Sequence, residues 1–565
     1  MEPVIYDTTL REGLQTPGGI GGSLAERIYA ANLIARFVDW VELGMPANNV
    51  DYKIIEAVKN SFIENEREAG IAVLCRNKEL DIDRAEEVLQ GYHTTLAHLF
   101  IGTSQEHRNH RFKGGWTKED YEKNIESMVE YAASKNFTRV MFSPEDSFRT
   151  FQECEEDFFD FVDAAIRGYE RGSAKVDRKA KLILNFPDTV GKSTISEFNA
   201  MLEKIKEKYG DKIEISVHGH NDTASSTQQA AEVYIRGLAN WLQTTFAGLG
   251  ERNGITPTEG ILAIIDQRGY LRNKRYGNED VLRDLVPATH AILGALGKTV
   301  PAESIVSGSR VNTSVAGIHS DIAMKDNITY HIHGDRYGAL PMIEFGPSSG
   351  GHQIVPLLQK IGIERQKSDP DVVEFTDMLK EKCNKEKRSL NETDITYEAI
   401  RFFKRGFKHP LKIYGYTLTV RRDSQPVIEI EGIYDDIHFK QKDDEDVGTV
   451  EGVVGMLSRV LNMSRRRKLQ LVRFEPVVVP KIPEQYLHWE KGSFPEIPRG
   501  LDIHSDFRVT TGIKDASNGD NVVYYGTYSG EDTVKTIIES AIDAILKMES
   551  IRKWCRSMHP TEKKQ

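Results

Sequence analysis

Apolar and polar positions alternate in one repeating rhythm from the N-terminus to about residue 265. Eight runs rich in aliphatic, β-branched and aromatic residues predict strands: VIYDTTL (4–10), WVELGMP (40–46), GIAVLC (70–75), LAHLFIGTS (96–104), TRVMFSPED (138–146), KLILNFPDT (181–189), IEISVHGHND (213–222) and LQTTFAGLGER (242–252). Between them lie segments with apolar residues at helical spacing. The first opens on Ser23 with Glu26 three residues later, a capping box, and runs into apolar Leu33, Ile34 and Phe37. Eight strands alternating with helices predict a (β/α)8 TIM barrel. A doubly wound open sheet is the alternative, but no G-x-G-x-x-G follows the first strand.

Beyond the barrel the rhythm changes. Residues from about 280 to 405 read as helices, interrupted by the Gly-rich loop FGPSSGGHQI (345–354). This region also holds VAGIHSDIAMKDNITYHIHGDRYG, with His319, Tyr330, His331 and His333; the last two are expected on the surface. From about residue 412 two β-β-α copies are legible. Copy one has strands YTLTV and VIEIE, an acidic DDED, and the helix VEGVVGMLSRVL. Copy two has strands DFRVT and VVYYGTY joined through Asn518-Gly519, then the helix TVKTIIESAIDAIL with a broad apolar stripe. A Pro- and charge-rich linker (476–500) is expected between the copies. The expected domains are a barrel over 1–275, helical linker subdomains over 276–410 and an α+β regulatory-type domain over 411–565.

Polar clusters fall at the C-terminal ends of the strand runs: Arg11-Glu12, Ser143 to Arg149, Asp188-Thr189, His218 to Asp222 and Glu251-Arg252. Barrel enzymes keep their sites on that face, whereas chance would scatter such clusters over both ends. In a strand, residues i and i+2 share a face, so His218 and His220 converge on one point. With Glu12 on the same rim they offer two imidazoles and a carboxylate, a set that binds a divalent ion and leaves positions open for substrate. Zn, Mn, Co and Mg all suit it.

Composition narrows the classes. Asp and Glu outnumber Lys and Arg, 85 to 74, so no basic surplus exists to bind nucleic acid or an anionic membrane. No apolar run approaches membrane-spanning length, and MEPVIYDTTLREG carries no secretory or transit signature. Four scattered cysteines, none in a C-x-x-C pair, indicate neither a disulfide framework nor a cysteine zinc site. A reduced, cytoplasmic protein is expected.

The stretches DTTLREGLQ, VELGMP, IGTSQ, SPEDSFRT, NFPDTVG, VHGHND and GLGERNG, followed by AGIHSD and a later Tyr, resemble in order the 2-isopropylmalate synthase/homocitrate synthase family of metal-dependent TIM-barrel acyltransferases. The β-β-α repeat resembles the regulatory domain appended to 2-isopropylmalate and citramalate synthases. The resemblance implies condensation of acetyl-CoA with a 2-oxo acid, followed by thioester hydrolysis to a 2-hydroxy dicarboxylic acid. It implies that Glu12, His218 and His220 hold the metal and that Arg11 stabilises the developing alkoxide. It makes His319, polarised by Glu251, the base that takes the methyl proton, with Tyr330 assisting at the thioester. Gln15, Glu145 and Thr189 would position the oxo acid. A domain-exchanged homodimer and an amino-acid effector at the C-terminal domain are further implications.

Two departures point toward the homocitrate branch: Glu12 in "REG", where the other branch has Asp, and Ile255 in "GERNGITP". One points away. Homocitrate synthases carry an Arg four residues before the Glu of their "SEDSFRS" for the distal carboxylate of 2-oxoglutarate, and here that position is Met141. Leaving that carboxylate buried without its cation would cost several kcal/mol. Met141, beside Ser143, is therefore expected to wall an apolar subsite. The expected acceptor is 2-oxoisovalerate, followed by pyruvate, a longer or aromatic 2-oxo acid, and 2-oxoglutarate. FGPSSGGHQI also lacks the Lys and Arg of the family's usual loop. A carbon–carbon lyase of the hydroxymethylglutaryl-CoA type is a second class, but such lyases lack the His319/Tyr330 segment and carry a cysteine-bearing loop not found here. A binding module on a dead barrel is a third, disfavoured by retention of every metal and base candidate.

Overall fold

The computed structural model describes residues 2–111, 116–177, 180–272, 274–311, 313–315, 334–339, 342–421, 424–443, 469–481, 504–515, 522–530 and 533–558. They fall into two compact units, residues 2–311 with 334–339 and residues 313–315 with those from 342 onward.

The first unit is the expected barrel. Its strands are β1 (Val4–Asp7), β2 (Trp40–Glu42), β3 (Gly70–Arg76), β4 (Thr95–Gly102), β5 (Arg139–Glu145), β6 (Ile183–Asp188), β7 (Glu214–Gly219) and β8 (Trp241–Thr244). All neighbours are parallel, and β1 closes on β8 with Val4 opposite Trp241. Alternation sorts the side chains. One set points outward into the large core made with the helices. The other fills the barrel: Tyr6, Trp40, Ala72, Leu96, Met141, Ile183 and Trp241 pack into an interior plug. Gly70 makes room for it, since a Cβ there would stand 2.4 Å from the Trp40 ring. The Ser23/Glu26 capping box starts the first helix, Leu24–Ile34.

Two carboxyls are sealed where β1 and β8 feed their loops. Asp7 accepts hydrogen bonds from the Thr9 amide at 2.9 Å and the Thr258 hydroxyl at 3.0 Å. Glu259 accepts from the Ser307 hydroxyl at 2.7 Å and the Ala247 amide at 3.0 Å. Burial outweighs these bonds and pushes each carboxyl up to about 7. A raised folded-state pKa contributes stability that is complete below about pH 4 and is lost as pH rises through about 7. Asp7→Asn keeps the shape without the titration. Its thermal midpoint is expected to fall less than that of the unaltered protein between pH 5 and 8; equal falls would contradict this account of Asp7.

Among its described residues the second unit holds three small sheets. β9 (Thr313–Ser314) pairs in parallel with β10 (Met342–Phe345), which pairs antiparallel with β11 (Leu390–Asn391). Helices Gly351–Lys360, Pro370–Glu386 and Glu392–Phe403 occupy the stretch expected to be helical. β12 (Leu411–Arg421), β13 (Ser424–Tyr434) and β14 (Ile437–Asp443) form one antiparallel sheet. β15 (Leu469–Lys481), β16 (His504–Asp515) and β17 (Val523–Gly530) form the other, and the helix Thr533–Met558 follows. Each sheet thus has a third strand beyond the two expected. β15 runs through Pro476 and Pro480, where a linker was expected; among the described residues it pairs only with β16, and an edge strand tolerates proline. The helix of copy one and the Asn518-Gly519 turn lie outside the described residues.

Candidate active site

The mouth of the barrel is organised by a buried carboxylate on β2. Glu42 accepts hydrogen bonds from the Thr8 hydroxyl at 2.6 Å, the Arg11 Nε at 2.7 Å and the Tyr6 hydroxyl at 2.8 Å, and lies 2.8 Å from His98 Nδ1. Burial pushes this carboxyl up, but the charges of Arg11 and His98 outweigh it and hold Glu42 well below the ordinary range. Arg11 is thereby fixed, with its Nη1 on the carboxylate of Glu12.

A polar chain crosses the interior from there. His98 Nε2 lies 2.7 Å from the Ser143 hydroxyl, which also accepts from the Asn185 amide at 2.8 Å. The Ser216 hydroxyl donates to Asn185 Oδ1 at 2.8 Å. On the far side, His218 Nδ1 stands 2.9 Å from Gln243 Oε1, while Gln243 Nε2 donates to Met141 Sδ at 3.4 Å. The amide oxygen can only accept, so His218 carries its proton on Nδ1 and presents a lone pair at Nε2.

That lone pair faces His220, with the two Nε2 atoms 3.3 Å apart. Burial lowers the pKa of both imidazoles. His220 and Arg11 push His218 further down, whereas the charge of Glu12 opposes the shift at His220. Both rings are therefore neutral at neutral pH, the form that ligates metal. Nitrogens about 2.0–2.1 Å from one ion at a near-tetrahedral angle are separated by about the observed distance. His220 Nδ1, moreover, is buried without a hydrogen-bond partner among the described residues. The donor set fits a divalent cation. Among the described residues, however, no group of three or more His, Cys, Asp or Glu side chains is arranged as a cage, since Glu12 is turned onto Arg11.

The other candidates sit around this centre with unequal support. Met141 and Ser143 are buried inside the barrel. Glu145 ends β5 half-buried, 3.8 Å from His107 Nδ1. The Thr189 hydroxyl accepts from the Asp146 amide at 2.9 Å and so ties the loop after β6 to the end of β5. Gln15 is exposed on the short turn Gly13–Gln15 after β1. Glu251 lies on the exposed loop after β8, 3.7 Å from Arg252 Nη1. Arg252 is held more tightly elsewhere, by two 2.8 Å bonds to Asp222 and one of 2.7 Å to the Thr189 carbonyl. Gly254 lets this loop fold back: its φ is +76° and a Cβ would lie 1.8 Å from the Gly248 carbonyl. His319 and Tyr330, with His331 and His333, lie outside the described residues.

Glu42, His98, Asn185, Ser216 and Gln243 were missed as site residues. A signal existed. Strands buried on both faces read as nearly continuous apolar runs, so a polar residue within one marks the barrel interior.

Residues 2–284 match the HMGL-like family. A 2-isopropylmalate synthase from Halothermothrix orenii is 31% identical over 394 residues, covering 68% of this chain and 71% of that protein. Another from Pyrococcus furiosus is 31% identical over 401 residues, covering 70% and 74%. Among solved structures, a Bacillus subtilis HMG-CoA lyase aligns with a TM-score of 0.40 at 17% identity, over 54% of this chain and 96% of that one, too low a score to bear on the assignment. On the family match and these relatives, the chain belongs to the HMGL-like family and, within it, to the 2-isopropylmalate synthase/homocitrate synthase family of acetyl-CoA-dependent acyltransferases.

Proposed function

We propose that the barrel condenses acetyl-CoA with 2-oxoisovalerate and hydrolyses the thioester to 2-isopropylmalate. The observation that carries this reading is the pair of neutral imidazoles, His218 and His220, beside a Glu12 whose neighbour Arg11 is locked by Glu42. Glu12, His218 and His220 would hold a divalent cation, which when bound supplies Lewis acidity at the ketone of the oxo acid. Glu12 must then leave Arg11, freeing guanidinium hydrogens to stabilise the alkoxide as it forms. The Glu42 bond keeps Arg11 in place through that exchange. His319, with Glu251, takes a proton from the acetyl methyl, and the resulting carbanion attacks the ketone carbon. Tyr330 assists as water displaces CoA from the thioester. Gln15, Glu145 and Thr189 position the oxo acid. A domain-exchanged homodimer in the cytoplasm and a feedback effector at the C-terminal domain complete the reading.

Pyruvate is the second reading. Met141 is flanked by Gln243, and Ser143 one pleat above it is bound by His98 and Asn185, so the interior is more polar than a branched side chain prefers. Thiol release from acetyl-CoA across a panel of 2-oxo acids, with product mass, tests the assignment. The largest kcat/KM is expected for 2-oxoisovalerate; a largest value for pyruvate would install the second reading. No thiol release with any acceptor would overturn both.

Met141→Arg tests the subsite. A thioether is an adaptable apolar wall, whereas a guanidinium matches a carboxylate. The variant is expected to lose kcat/KM for branched acceptors and to gain it, in part, for 2-oxoglutarate. If the unaltered enzyme already prefers 2-oxoglutarate, Met141 does not wall the distal subsite.

A further inference from the structure

The chain on either side of the proposed base is fastened to a single helix of the barrel, Thr258–Gln267, which follows β8. Glu259 lies in its first turn and Asp266 in its last. At a rise of about 1.5 Å per residue the two stand roughly 10 Å apart along its axis. Both carboxyls are buried, and no step of the proposed reaction uses either.

Glu259 holds two pieces of chain at once. One of its oxygens accepts from the Ser307 hydroxyl at 2.7 Å, and the other accepts from the Ala247 amide at 3.0 Å. Ala247 opens the turn that runs to Glu251, and its φ is +53°. Ser307 follows Val306, whose φ is +66°. A positive φ is costly for alanine and more so for a β-branched residue, so such backbone persists only where its surroundings over-determine it. Here His290 Nε2 donates to the Ser307 carbonyl at 3.0 Å while Glu259 takes the hydroxyl.

Asp266 holds the other flank. It accepts from Arg336 Nη2 at 2.9 Å and from the hydroxyl of the buried Tyr337 at 2.9 Å. In sequence, His319 and Tyr330 lie between the two anchors.

We propose that Glu259 is a positioning residue for the general base: through Ala247 it sets the loop bearing Glu251, and through Ser307 it sets the chain leading to His319, with Asp266 fixing the far end of that chain. The proposal rests on the reading of His319 and Glu251 given above. Glu259 is fully buried and acts through these contacts. It governs the step in which the methyl proton is taken, and not the binding of the oxo acid at Glu12, His218 and His220.

The test uses the full chain with Glu259→Leu, Glu259→Gln and Ser307→Ala. Glu259→Leu fills the space without either bond. Glu259→Gln keeps both, since the amide oxygen accepts from Ala247 while the amide nitrogen donates to the Ser307 hydroxyl. Glu259→Leu is expected to lower kcat about tenfold or more, because a small misplacement of a reacting group costs that much. Its metal content and its calorimetric Kd for the preferred oxo acid should be unchanged. Glu259→Gln should recover most of the loss. Ser307→Ala, a milder change that serves where Glu259→Leu fails to fold, should lower kcat in the same way by less. Amide exchange should rise over residues 246–252 and 301–311 in Glu259→Leu, and over 301–311 alone in Ser307→Ala. Exchange is read without turnover, so a protein that forms no product with any acceptor fails the reading above while the clamp is judged on exchange. Unchanged kcat in Glu259→Leu and Ser307→Ala would overturn the proposal. So would unchanged exchange, a Kd that weakens in step with kcat, or a Glu259→Gln as impaired as Glu259→Leu.

Discussion

His218→Ala and Glu12→Ala are expected to release the divalent cation and to depress turnover by more than the roughly 10–100-fold that loss of an outer partner costs a metal site. Gln243→Ala, which removes the acceptor for His218 Nδ1 and the donor to Met141 Sδ but no metal ligand, belongs in that smaller range. The ordering follows from the geometry: His218 presents Nε2 because Gln243 fixes its proton on Nδ1 at 2.9 Å. The barrel should stay folded in the His218 variant, since among the described residues that ring makes one bond to Gln243 and one contact with His220. A lost hydrogen bond is worth about 1 kcal/mol. Elemental analysis with circular dichroism checks this. Full metal content in both His218→Ala and Glu12→Ala would refute the ligand assignment.

Lys547→Met is expected to destabilise the second unit by about 3–5 kcal/mol, the cost of breaking a buried ion pair from one side. Lys547 is buried, and its ammonium reaches Asp394 Oδ1 at 2.6 Å and the carboxylate of Asp543. Asp394 also accepts from Arg388 at 2.6 Å and caps the helix Glu392–Phe403 through the Asn391 amide. One carboxylate thus ties that helix to the long C-terminal one. Burial pushes Asp394 up, but Lys547 and Arg388 prevail and hold it well below the ordinary range. Such a group contributes stability present above its unfolded pKa, near 4, and lost as pH falls through the folded value. Asp543 shifts upward instead, burial outweighing its share of Lys547. Hydrogen exchange of the helix Thr533–Met558 should report the loss, and the Lys547→Met/Asp543→Asn pair should recover part of it, because Asp394 keeps Arg388 whereas Asp543 loses its cation. Unaltered exchange in Lys547→Met would sink the account of this network.

Much of this fold was legible because period and position agree. All eight barrel strands follow from apolar runs, and Ser23 with Glu26 marks the first helix start. His218 and His220 were legible because spacing two in a strand admits one geometry. The Glu42–His98–Ser143–Asn185 chain was not, because each member is a lone polar residue in a different strand and only closure of the barrel brings them together. Glu251 shows the opposite failure: its motif is plain in the sequence, yet its place on an exposed loop depends on a backbone that turns through Gly254. β15 hid behind Pro476 and Pro480, whose composition reads as linker when the pairing with β16 is out of view.

The most direct test of the central claim is product analysis after turnover of acetyl-CoA carrying a trideuterated methyl group with 2-oxoisovalerate. Proton abstraction from that methyl, attack on the ketone and hydrolysis give free CoA and a 2-hydroxy dicarboxylate in which the acetyl carbons are bonded to C2 of the acceptor. Two of the three deuterons should remain, so the product is expected 2 mass units above the unlabelled compound. CoA release with labelled acetate as the only carbon product would mean simple thioester hydrolysis and would contradict the claim that this barrel forms a carbon–carbon bond.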